Sequence, residues 1–503
     1  MDLNLTLDRH SPQPLYRQLY NRLRDLIQSG ALPAGSRLPP ERRLAANLGV
    51  NRSTVINAYH ELEADALVRS RVGSGTVVQA SAIGSGATTS LPWWQIMVGV
   101  PAEAGEDLLE ELALLAAREG IISFARGAPD QALFPVEGFR LAVDAVLRRH
   151  GPEALEDAPA EGNRGLREII AGRLAGAGIA STADDVLIIG GSHEGLYLLS
   201  RVLVESGDAV VVEAPTYLGA LRVFRAAGAR LLAVPVDDNG MRVDLLESLL
   251  MRQRPKLIYT LPTFHNPTGV TLAGERRRQL LALAARYQVA VVEDDPYRSL
   301  RYEGEDLPSL KALDKNAGVA YLGTFSKILS PGLRLGWLVA PQPLLARVAR
   351  LKQVVDLHTA SLTQWAVAEF CREGRLEPHI DVLRDEYRRR RDTMAAALTR
   401  HWPAEASWTV PAGGFYIWAE LPAGVGARAL LAETARQGVA FLPGGVLFVD
   451  GQGTNTVRLN FSSSPPEAIE EGIARMGRAI NRLRGKREGH GPAGPRPSPR
   501  TIV

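Results

Sequence analysis

Seven short aliphatic runs recur between residues 185 and 341, and helical patterns or loops separate most of them. Runs of this length, rich in β-branched and aliphatic residues, are typical of strands that are buried on both faces of a sheet. Strands that alternate with helices favour a mostly parallel sheet, so the pattern predicts an α/β domain over residues 121–480. The runs are DVLIIGG, DAVVVEAP, RLLAVPV, PKLIYTLP, VAVVEDD, VAYLGTFS and LGWLVAP.

The remainder of the chain has a different character on either side of these runs. Residues from about 342 to 480 are more helical with a few strands, which predicts a smaller α+β lobe. Residues 484–503 are rich in Gly, Pro and Arg, a composition typical of a disordered basic tail. Small polar residues open the segment 81–120, which we interpret as a linker.

Composition excludes several classes of protein. A chain of 503 residues with 46% hydrophobic and 22% charged residues is expected to form more than one globular domain. No run approaches the roughly 18 apolar residues of a membrane span, and the N-terminus lacks the pattern of a secretory signal. The single cysteine, Cys371, allows neither a disulfide framework nor a cysteine-based zinc site. We therefore expect a cytoplasmic protein with no membrane partner and no metal site.

Residues 11–80 carry the pattern of a compact helical unit that ends in a hairpin. Leucines recur at helical spacing before the Gly- and Pro-rich break GALPAGSRLPP. The short helix ERRLAANLG and a second helix follow, with Asn51 as the N-cap of the second. LVRSRVGSGTVV then indicates two short strands around a Gly-rich turn. Two helices joined by a short turn and followed by a hairpin predict a winged helix-turn-helix, an α+β unit.

In such a unit the N-terminal residues of the second helix reach base edges or phosphates. Arginine can bind guanine bidentately, hydroxyls and the helix N-terminus suit phosphate, and glycine on the wing lets the backbone approach the duplex. A small helical packing module with solvated arginines is the alternative that spacing alone leaves open. The candidate DNA-binding residues are Arg42, Asn51, Arg52, Ser53, Thr54, Arg71, Gly73 and Thr76.

Charge is distributed unevenly along the chain. Residues 1–80 hold ten arginines against seven acidic residues, and residues 481–503 hold six basic residues against one acidic residue. A basic N-terminal region followed by an acidic central region is typical of a nucleic-acid-binding module attached to another domain. The chain also has only six lysines beside 52 arginines. A lysine used for chemistry therefore has few candidates.

Lys327 is one of those candidates, in the segment GTFSKILSPGLRLGW. Thr324 and Ser326 precede it and Arg334 follows seven residues later. A lysine that forms a Schiff base with a phosphorylated aldehyde needs phosphate-binding groups beside it, which hydroxyls and an arginine supply. An ordinary surface lysine is the alternative, although Lys327 lies between strand-like segments in a Gly-rich loop.

Polar residues at two other strand ends complete a possible ring-binding set. Asp294 can pair with a protonated pyridine nitrogen, with Asp295 as its rival, and Tyr297 can hydrogen-bond a phenolic oxygen. Asn266, in LPTFHNPTGV, can donate to the same oxygen, although a turn asparagine is the simpler interpretation when it is taken alone.

The strand–turn–helix IIGGSHEGLYLLSR offers free backbone N–H groups around Gly191, Ser192 and His193, which can bind phosphate. Tyr217 can stack on a cofactor ring, and a core tyrosine is an equal alternative. Arg458 is a candidate bidentate partner for a substrate carboxylate, with an exposed structural arginine as the alternative.

Two resemblances bear on these interpretations. LPPERRLAANLGVNRSTVINAYHELEADALVRSRVGSGTVV resembles the GntR-type winged helix of bacterial transcription factors, and the likeness implies contact with double-stranded DNA through residues including Arg42, Arg52, Ser53, Thr54 and Gly73. The ordered blocks FARGAPDQALFP, GGSHEGL, EAPTY, HNPTG, EDDPY and SK–(x)6–R resemble the class I/II aminotransferases of fold type I.

The second resemblance implies pyridoxal 5'-phosphate as the cofactor. It implies that Lys327 carries the cofactor and that Asp294 binds its pyridine nitrogen. Asn266 and Tyr297 would hold the phenolic oxygen. The residues implied to surround the phosphate are Ser192, His193, Thr324, Ser326 and Arg334, and those implied to receive an amino-acid carboxylate are Gly127 and Arg458.

One position departs from the family pattern. A tyrosine usually precedes the block EGNRGLRE and reaches the partner subunit's phosphate, whereas Asp157 falls near that place in this chain. An acidic residue beside a phosphate would be repulsive.

The combined architecture resembles the MocR/GabR regulators. This resemblance implies that the aminotransferase-like domain serves mainly as a sensor of an amino compound or of the cofactor. The same resemblance implies a homodimer. A working aminotransferase that carries a DNA-binding head is the alternative, and a cofactor-free dimerisation scaffold is a third interpretation.

Overall fold

The computed structural model describes residues 7–9, 11, 13–28, 31–71, 75–79, 112, 115, 120–485 and 500–502. The chain divides into two compact units, Met1–Glu103 and Ala104–Val503. The predicted linker 81–120 lies outside the described residues, apart from positions 112, 115 and 120. No helix within the described ranges is long and apolar enough to cross a membrane.

The first unit consists of three helices and a two-stranded antiparallel wing. One apolar stripe of the first helix, Leu19, Leu23 and Ile27, is buried against the third helix, where Val55 and Leu62 are also buried. This is the expected result of apolar residues at helical spacing. The elements are α1 Leu15–Gln28, α2 Glu41–Leu48, α3 Arg52–Ala64, β1 Val68–Arg71 and β2 Gly75–Val78.

The second unit is built on an eight-stranded mixed sheet in the order β4-β11-β10-β9-β8-β5-β6-β7. All seven aliphatic runs form strands of this sheet. The five strands from β10 to β6 in that order are parallel, whereas β11 and β7 run antiparallel to their neighbours. The strands of the sheet are β4 Val186–Ile189, β5 Ala209–Ala214, β6 Arg230–Asp237, β7 Gly240–Met241, β8 Leu257–Thr260, β9 Ala290–Asp294, β10 Val319–Thr324 and β11 Gly336–Val339.

Helices cover both faces of this sheet. Along β4, Val186 and Ile188 belong to one apolar core, whereas Leu187 and Ile189 belong to another, so successive side chains are buried on opposite faces. Full burial of one such side chain contributes about 1.5–3 kcal/mol. The helices up to residue 372 are α4 Val136–His150, α5 Arg164–Gly176, α6 Ser192–Leu203, α7 Leu218–Ala226, α8 Val243–Gln253, α9 Gly274–Tyr287, α10 Leu310–Leu313, α11 Gln342–Val355 and α12 Ser361–Arg372.

The smaller lobe is a second sheet, in the order β15-β16-β13-β12-β17, together with the long helix α13 and the C-terminal helix α15, which pack against each other. A short parallel pair, β14 with β3, brings residues 122–123 to the C-terminal region. The remaining elements are β3 Ile122–Ser123, α13 Leu376–His401, β12 Ser407–Pro411, β13 Tyr416–Glu420, α14 Ala427–Ala435, β14 Val439–Ala440, β15 Leu442–Pro443, β16 Thr456–Asn460, α15 Pro466–Gly485 and β17 Arg500–Ile502.

Two sequence-based boundaries differ from the structure. Helix α11 packs against α6, and Leu345 and Val348 share a core with the large sheet, so the small lobe begins later than the predicted residue 342. Within the tail predicted as disordered, residues 484–485 complete α15 and β17 pairs in parallel with Thr409–Pro411. The edge strand β12 offers unpaired backbone groups there, which a returning chain can satisfy whatever its composition.

Candidate functional site

The helix-turn-helix displays most of the predicted DNA-binding residues. Arg42 on α2 and Arg52 and Ser53 at the start of α3 are exposed, whereas Thr54 is half-buried. Asn51 occupies the N-cap position of α3 with extended backbone, and its side chain makes no capping hydrogen bond. Because that side chain is exposed and unused by the helix, it is available to a ligand. The start of α3 therefore presents donors of the kind that phosphates and base edges accept.

Arg52 is held in place by a neighbouring carboxylate. Its Nη2 lies 2.8 Å and its Nε 3.1 Å from Glu41 Oε2, the first residue of α2. On the wing, Thr76 lies on β2 with Oγ1 3.2 Å from Ser70 Oγ, and the backbone of Arg71 pairs with Gly75. Gly73 lies outside the described residues.

In the second unit, one cavity of about 930 Å³ collects every candidate cofactor and carboxylate residue. The cavity lies at the carboxyl ends of the parallel strands, which is where open α/β sheets bind ligands. Ser192 follows β4, Tyr217 follows β5, Asp294 ends β9 and Thr324 ends β10. The predicted residues that line it are Gly127, Ser192, His193, Tyr217, Asn266, Asp294, Tyr297, Thr324, Ser326, Lys327, Arg334 and Arg458.

Lys327 lies inside this cavity rather than on the surface. Its Nζ donates to the carbonyl of Gly127 at 2.6 Å and lies 6.0 Å from the centre of the Phe415 ring. Burial lowers the pKa of the Lys327 ammonium, and Tyr416 opposes part of that shift. A buried amine that loses its proton more readily is a better nucleophile toward an aldehyde.

A glycine turn and an arginine lie together in one part of the cavity. Gly191 has φ +107°, and a Cβ built on it would lie 2.9 Å from Arg334 Nη2, so only glycine fits without displacing the guanidinium. Helix α6 starts at Ser192, directly after this turn, and its free N–H groups favour an anion. Thr324 Oγ1 lies 2.9 Å from Ser326 Oγ. The donor set suits a phosphate.

Asp294 meets the requirement for a ring-nitrogen partner. Its Oδ2 accepts a hydrogen bond from Tyr259 at 2.9 Å, whereas its buried Oδ1 has no partner among the described residues. The next residue, Asp295, does not line the cavity and accepts from Tyr321 at 3.2 Å. Of the two carboxylates, Asp294 is therefore the one that lines the cavity. A protonated pyridine nitrogen would satisfy the orphaned oxygen, so the cavity fits pyridoxal phosphate.

We expect Asp294→Asn to stabilise the cofactor-free protein at pH 8. Burial raises the pKa of the Asp294 carboxyl to about 7. Since the pKa of an unfolded Asp carboxyl is about 4, the contribution of this carboxyl to stability is fully present below about pH 4, falls as pH rises from about 4 to about 7, and is fully lost above about 7. The amide variant escapes that loss. Since one pKa unit corresponds to about 1.4 kcal/mol, we expect a gain of about 1–4 kcal/mol in unfolding free energy at pH 8, shrinking toward pH 5, by urea denaturation.

The exposed Asp385 on α13 provides the control for this measurement. Asp385→Asn should leave the difference in stability between pH 5 and pH 8 unchanged. The expectation is wrong if Asp294→Asn destabilises the protein equally at both pH values, because the variant would then report lost packing rather than a buried charge.

Arg458 contacts three other residues inside the cavity. Its Nη1 donates to Asn266 Oδ1 at 3.0 Å and its Nη2 donates to the carbonyl of Ala125 at 2.6 Å. The guanidinium also lies over the Tyr416 ring, 4.4 Å from its centre. Asn266 thereby uses its oxygen within the protein and keeps its amide hydrogens for a ligand. One arginine thus joins three segments that are distant in sequence.

Two tyrosines in this site were missed by sequence reasoning. Tyr416 accepts a hydrogen bond from the Tyr297 hydroxyl at 3.1 Å, and a Cβ on Gly127 would lie 2.2 Å from its oxygen. Tyr259 is the partner of Asp294 described above. Both lie inside strands, where an aromatic residue is typical of ordinary packing. Only the pairing of β8 with β9 brings the Tyr259 hydroxyl to the carboxylate.

The acidic residue that departs from the family pattern is not a lining residue of the cavity. The Asp157 side chain is 91% exposed, and its Oδ1 lies 3.2 Å from His358 Nε2. Within this chain Asp157 therefore places no negative charge in the cavity.

Glu194 also contributes to the glycine turn. It accepts a hydrogen bond from the Gly190 backbone N–H, and its Oε1 accepts one from Lys352 at 2.9 Å. The Lys352 side chain is fully buried and also donates to Asp356 at 2.5 Å. This second buried lysine fastens the start of α6 and does not reach the cavity.

Comparisons with known proteins match both halves of the chain. Residues 15–78 match the family of bacterial regulatory proteins, gntR family, and residues 120–476 match aminotransferase class I and II. These matches confirm both resemblances and the fold class expected from the sequence.

Individual relatives agree with the family matches. The uncharacterized HTH-type transcriptional regulator YisV of Bacillus subtilis is 34% identical over 479 residues, 94% of this chain and 98% of that protein. The probable rhizopine catabolism regulatory protein MocR of Rhizobium meliloti is 31% identical over 481 residues, 93% of this chain and 94% of that protein. The kynurenine aminotransferase of Pyrococcus horikoshii, solved with PMP, is 38% identical, with a TM-score of 0.73 over 77% of this chain and 96% of that one. With full-length regulators and a catalytic relative both matching, this chain belongs to the MocR-type regulators, in which a gntR-family winged helix precedes an aminotransferase class I and II domain.

Proposed function

We propose that this protein is a pyridoxal-phosphate-dependent transcriptional regulator that binds a DNA operator as a homodimer. Its affinity for the operator changes when an amino compound enters the cavity. The observation that carries the proposal is the joint presence, in one chain, of an exposed helix-turn-helix face and a cavity holding the buried Lys327.

The cavity residues have distinct roles in this proposal. Lys327 attaches the cofactor, Asp294 binds its ring nitrogen, and Asn266 and Tyr297 bind its phenolic oxygen. Arg334 and the turn around Gly191 hold the phosphate, assisted by Ser192, His193, Thr324 and Ser326, and Tyr217 packs against the ring. When bound, the cofactor supplies a reactive aldehyde and an electron sink for an amino compound.

Recognition of the amino compound falls to the other end of the cavity. A carboxylate on the ligand competes with Asn266 and Ala125 for the donors of Arg458. Gly127 leaves the space that this carboxylate needs, because any side chain there would collide with Tyr416. Binding then changes the contacts that join β16 to the segments around Asn266 and Ala125.

A change in those contacts can regulate DNA binding only under one thermodynamic condition. The ligand must bind with different affinity to the conformation that binds DNA tightly and to the conformation that binds DNA weakly. Bound DNA must then change the affinity for the ligand by the same factor. A coupling of about 1–3 kcal/mol, which changes affinity 5–150-fold, is typical.

The test is fluorescence anisotropy with the cofactor-loaded protein and a labelled fragment of its own promoter region. We expect salt-sensitive, sequence-specific binding and at least a fivefold change in dissociation constant when a reactive amino compound is added. A scrambled fragment of the same length is the control. Weak binding that ignores sequence, or an amino compound that reacts with the cofactor yet leaves operator binding unchanged, would contradict the proposal.

An enzymatic role is the second candidate, favoured by the complete cavity and by the 38% identity to an aminotransferase. Multiple-turnover assays with amino donors and 2-oxo acids separate the two functions. Turnover that does not alter operator binding would assign the cavity to catalysis rather than to sensing.

A further inference from the structure

The charge of the cavity exceeds what the proposed function uses. Its lining includes four arginines and Lys327 but a single carboxylate, Asp294. Arg334 serves the phosphate and Arg458 the ligand carboxylate. Arg126 and Arg222 have no assigned role, and neither makes a hydrogen bond or an ion pair with the residues that the structure describes.

Arg126 lies between Ala125 and Gly127, whose backbone carbonyls both accept hydrogen bonds inside the cavity. The carbonyl of Ala125 accepts from Arg458 at 2.6 Å, and the carbonyl of Gly127 accepts from Lys327 at 2.6 Å. Arg126 thus lies between the two residues whose carbonyls contact Arg458 and Lys327, and its exposed side chain lines the cavity.

Arg222 approaches the cavity from a different element. Helix α7 starts directly after Tyr217, and it lines the cavity with Leu218, Gly219 and Arg222. Positions four residues apart lie on the same face of a helix, so Leu218 and Arg222 share the face that is turned to the cavity. Arg222 is half-buried.

A half-buried guanidinium that shares a cavity with four other cationic side chains and one carboxylate is electrostatically unsatisfied. Like charges in a site of reduced dielectric repel each other, and an added anion relieves that repulsion. Arginine binds carboxylates bidentately through two parallel hydrogen bonds. Two such side chains, from different segments that line the same cavity, would therefore recognise an anionic group distinct from the one on Arg458.

We propose that the amino compound sensed by this protein is a dicarboxylic amino acid, with its first carboxylate on Arg458 and its side-chain carboxylate on Arg222 and Arg126. This inference rests on the proposed function of the cavity and adds the chemical class of its ligand. It also assigns Arg222 as a specificity-determining residue.

The test is a titration of the cofactor-loaded full chain with matched pairs of amino acids, followed by the change in cofactor absorbance. L-Glutamate is paired with L-glutamine, and L-2-aminoadipate with L-norleucine, so that each pair differs mainly in the distal charge. We expect half-saturation at a concentration at least tenfold lower for one or both acidic members. Arg222→Gln should raise that concentration at least tenfold and change the value for the neutral partner less than twofold.

Arg201→Gln is the matched control, because Arg201 is an exposed arginine on α6 that does not line the cavity. It should leave all four titrations unchanged. Equal half-saturation for acidic and neutral partners in both pairs would overturn the inference while leaving the proposed function in place. If the cofactor absorbance is present but no amino acid alters it, amino-compound sensing itself fails and the inference fails with it.

Discussion

Lys327→Ala is expected to abolish covalent attachment of pyridoxal phosphate. The wild-type protein should show an absorbance band near about 420 nm that borohydride converts into a permanent adduct, and the variant should show neither. The reason is positional, since Lys327 is the lysine that lines the cavity, 2.6 Å from the Gly127 carbonyl. The adduct is measured by fluorescence of the denatured protein after gel filtration.

The same variant separates sensing from DNA binding. Alanine at position 327 removes the amine and its hydrogen bond to the Gly127 carbonyl but leaves the backbone of the loop unchanged, so the fold should persist and the thermal midpoint should change little. Operator binding should remain, whereas its response to amino compounds should be lost entirely. Lys315→Ala, an exposed substitution outside the cavity, should retain both the adduct and the response. An adduct of unchanged intensity in Lys327→Ala would show that another amine holds the cofactor.

Arg42→Ala combined with Arg52→Ala is expected to lower operator affinity at least about 100-fold. A well-placed arginine contact to a base contributes about 1–3 kcal/mol, and each phosphate contact that is removed lowers the salt slope by about one. Arg52 is pre-oriented by Glu41, with 2.8 Å between Nη2 and Oε2, so its guanidinium is already held at the start of α3. Anisotropy titrations at several salt concentrations measure both the affinity and the slope.

Arg22→Ala gives the control for the loss of positive charge, because Arg22 is exposed on α1 and belongs to no proposed contact. The amino-compound response of the cofactor should be intact in the double variant, since the cavity lies in the other unit. An affinity within threefold of wild type would remove the start of α3 from the DNA interface.

Local pattern was sufficient to predict seven of the eight strands of the large sheet, β7 being the exception, and the candidate residues that line the cavity. Each aliphatic run contains enough β-branched residues to form a strand, and polar residues directly after parallel strands gather at one edge. Asp294 and Asp295 illustrate the limit of that reasoning. Their sequence context is nearly identical, and the alternation of side chains along an extended chain separates them, which the structure shows through the Tyr321 contact of Asp295.

The features that pattern did not predict depend on contacts between distant segments. Tyr416 lies 119 residues after Tyr297, its hydrogen-bond partner, and nothing in its own strand marks it as part of a site. β3 is two residues long and exists because β14 offers it a partner. β17 follows the same logic on the exposed edge of β12. Such elements are set by available backbone partners rather than by propensity.

The burial of Lys352 between Glu194 and Asp356 also affects how the intact protein can be labelled. That amine is out of reach of solvent, and Lys327 lies inside the cavity. Among the described residues, Lys256 and Lys315 are the well-exposed lysines, and arginine, which amine-reactive dyes ignore, carries most of the remaining positive charge. Lys256→Arg and Lys315→Arg, together with Lys486→Arg outside the described residues, would thus reduce the reactive side-chain amines, so that newly introduced lysines would be labelled preferentially. Two such lysines, one in each unit, labelled with a mixture of donor and acceptor dyes would report, by energy transfer, whether the distance between the units changes when the cavity fills.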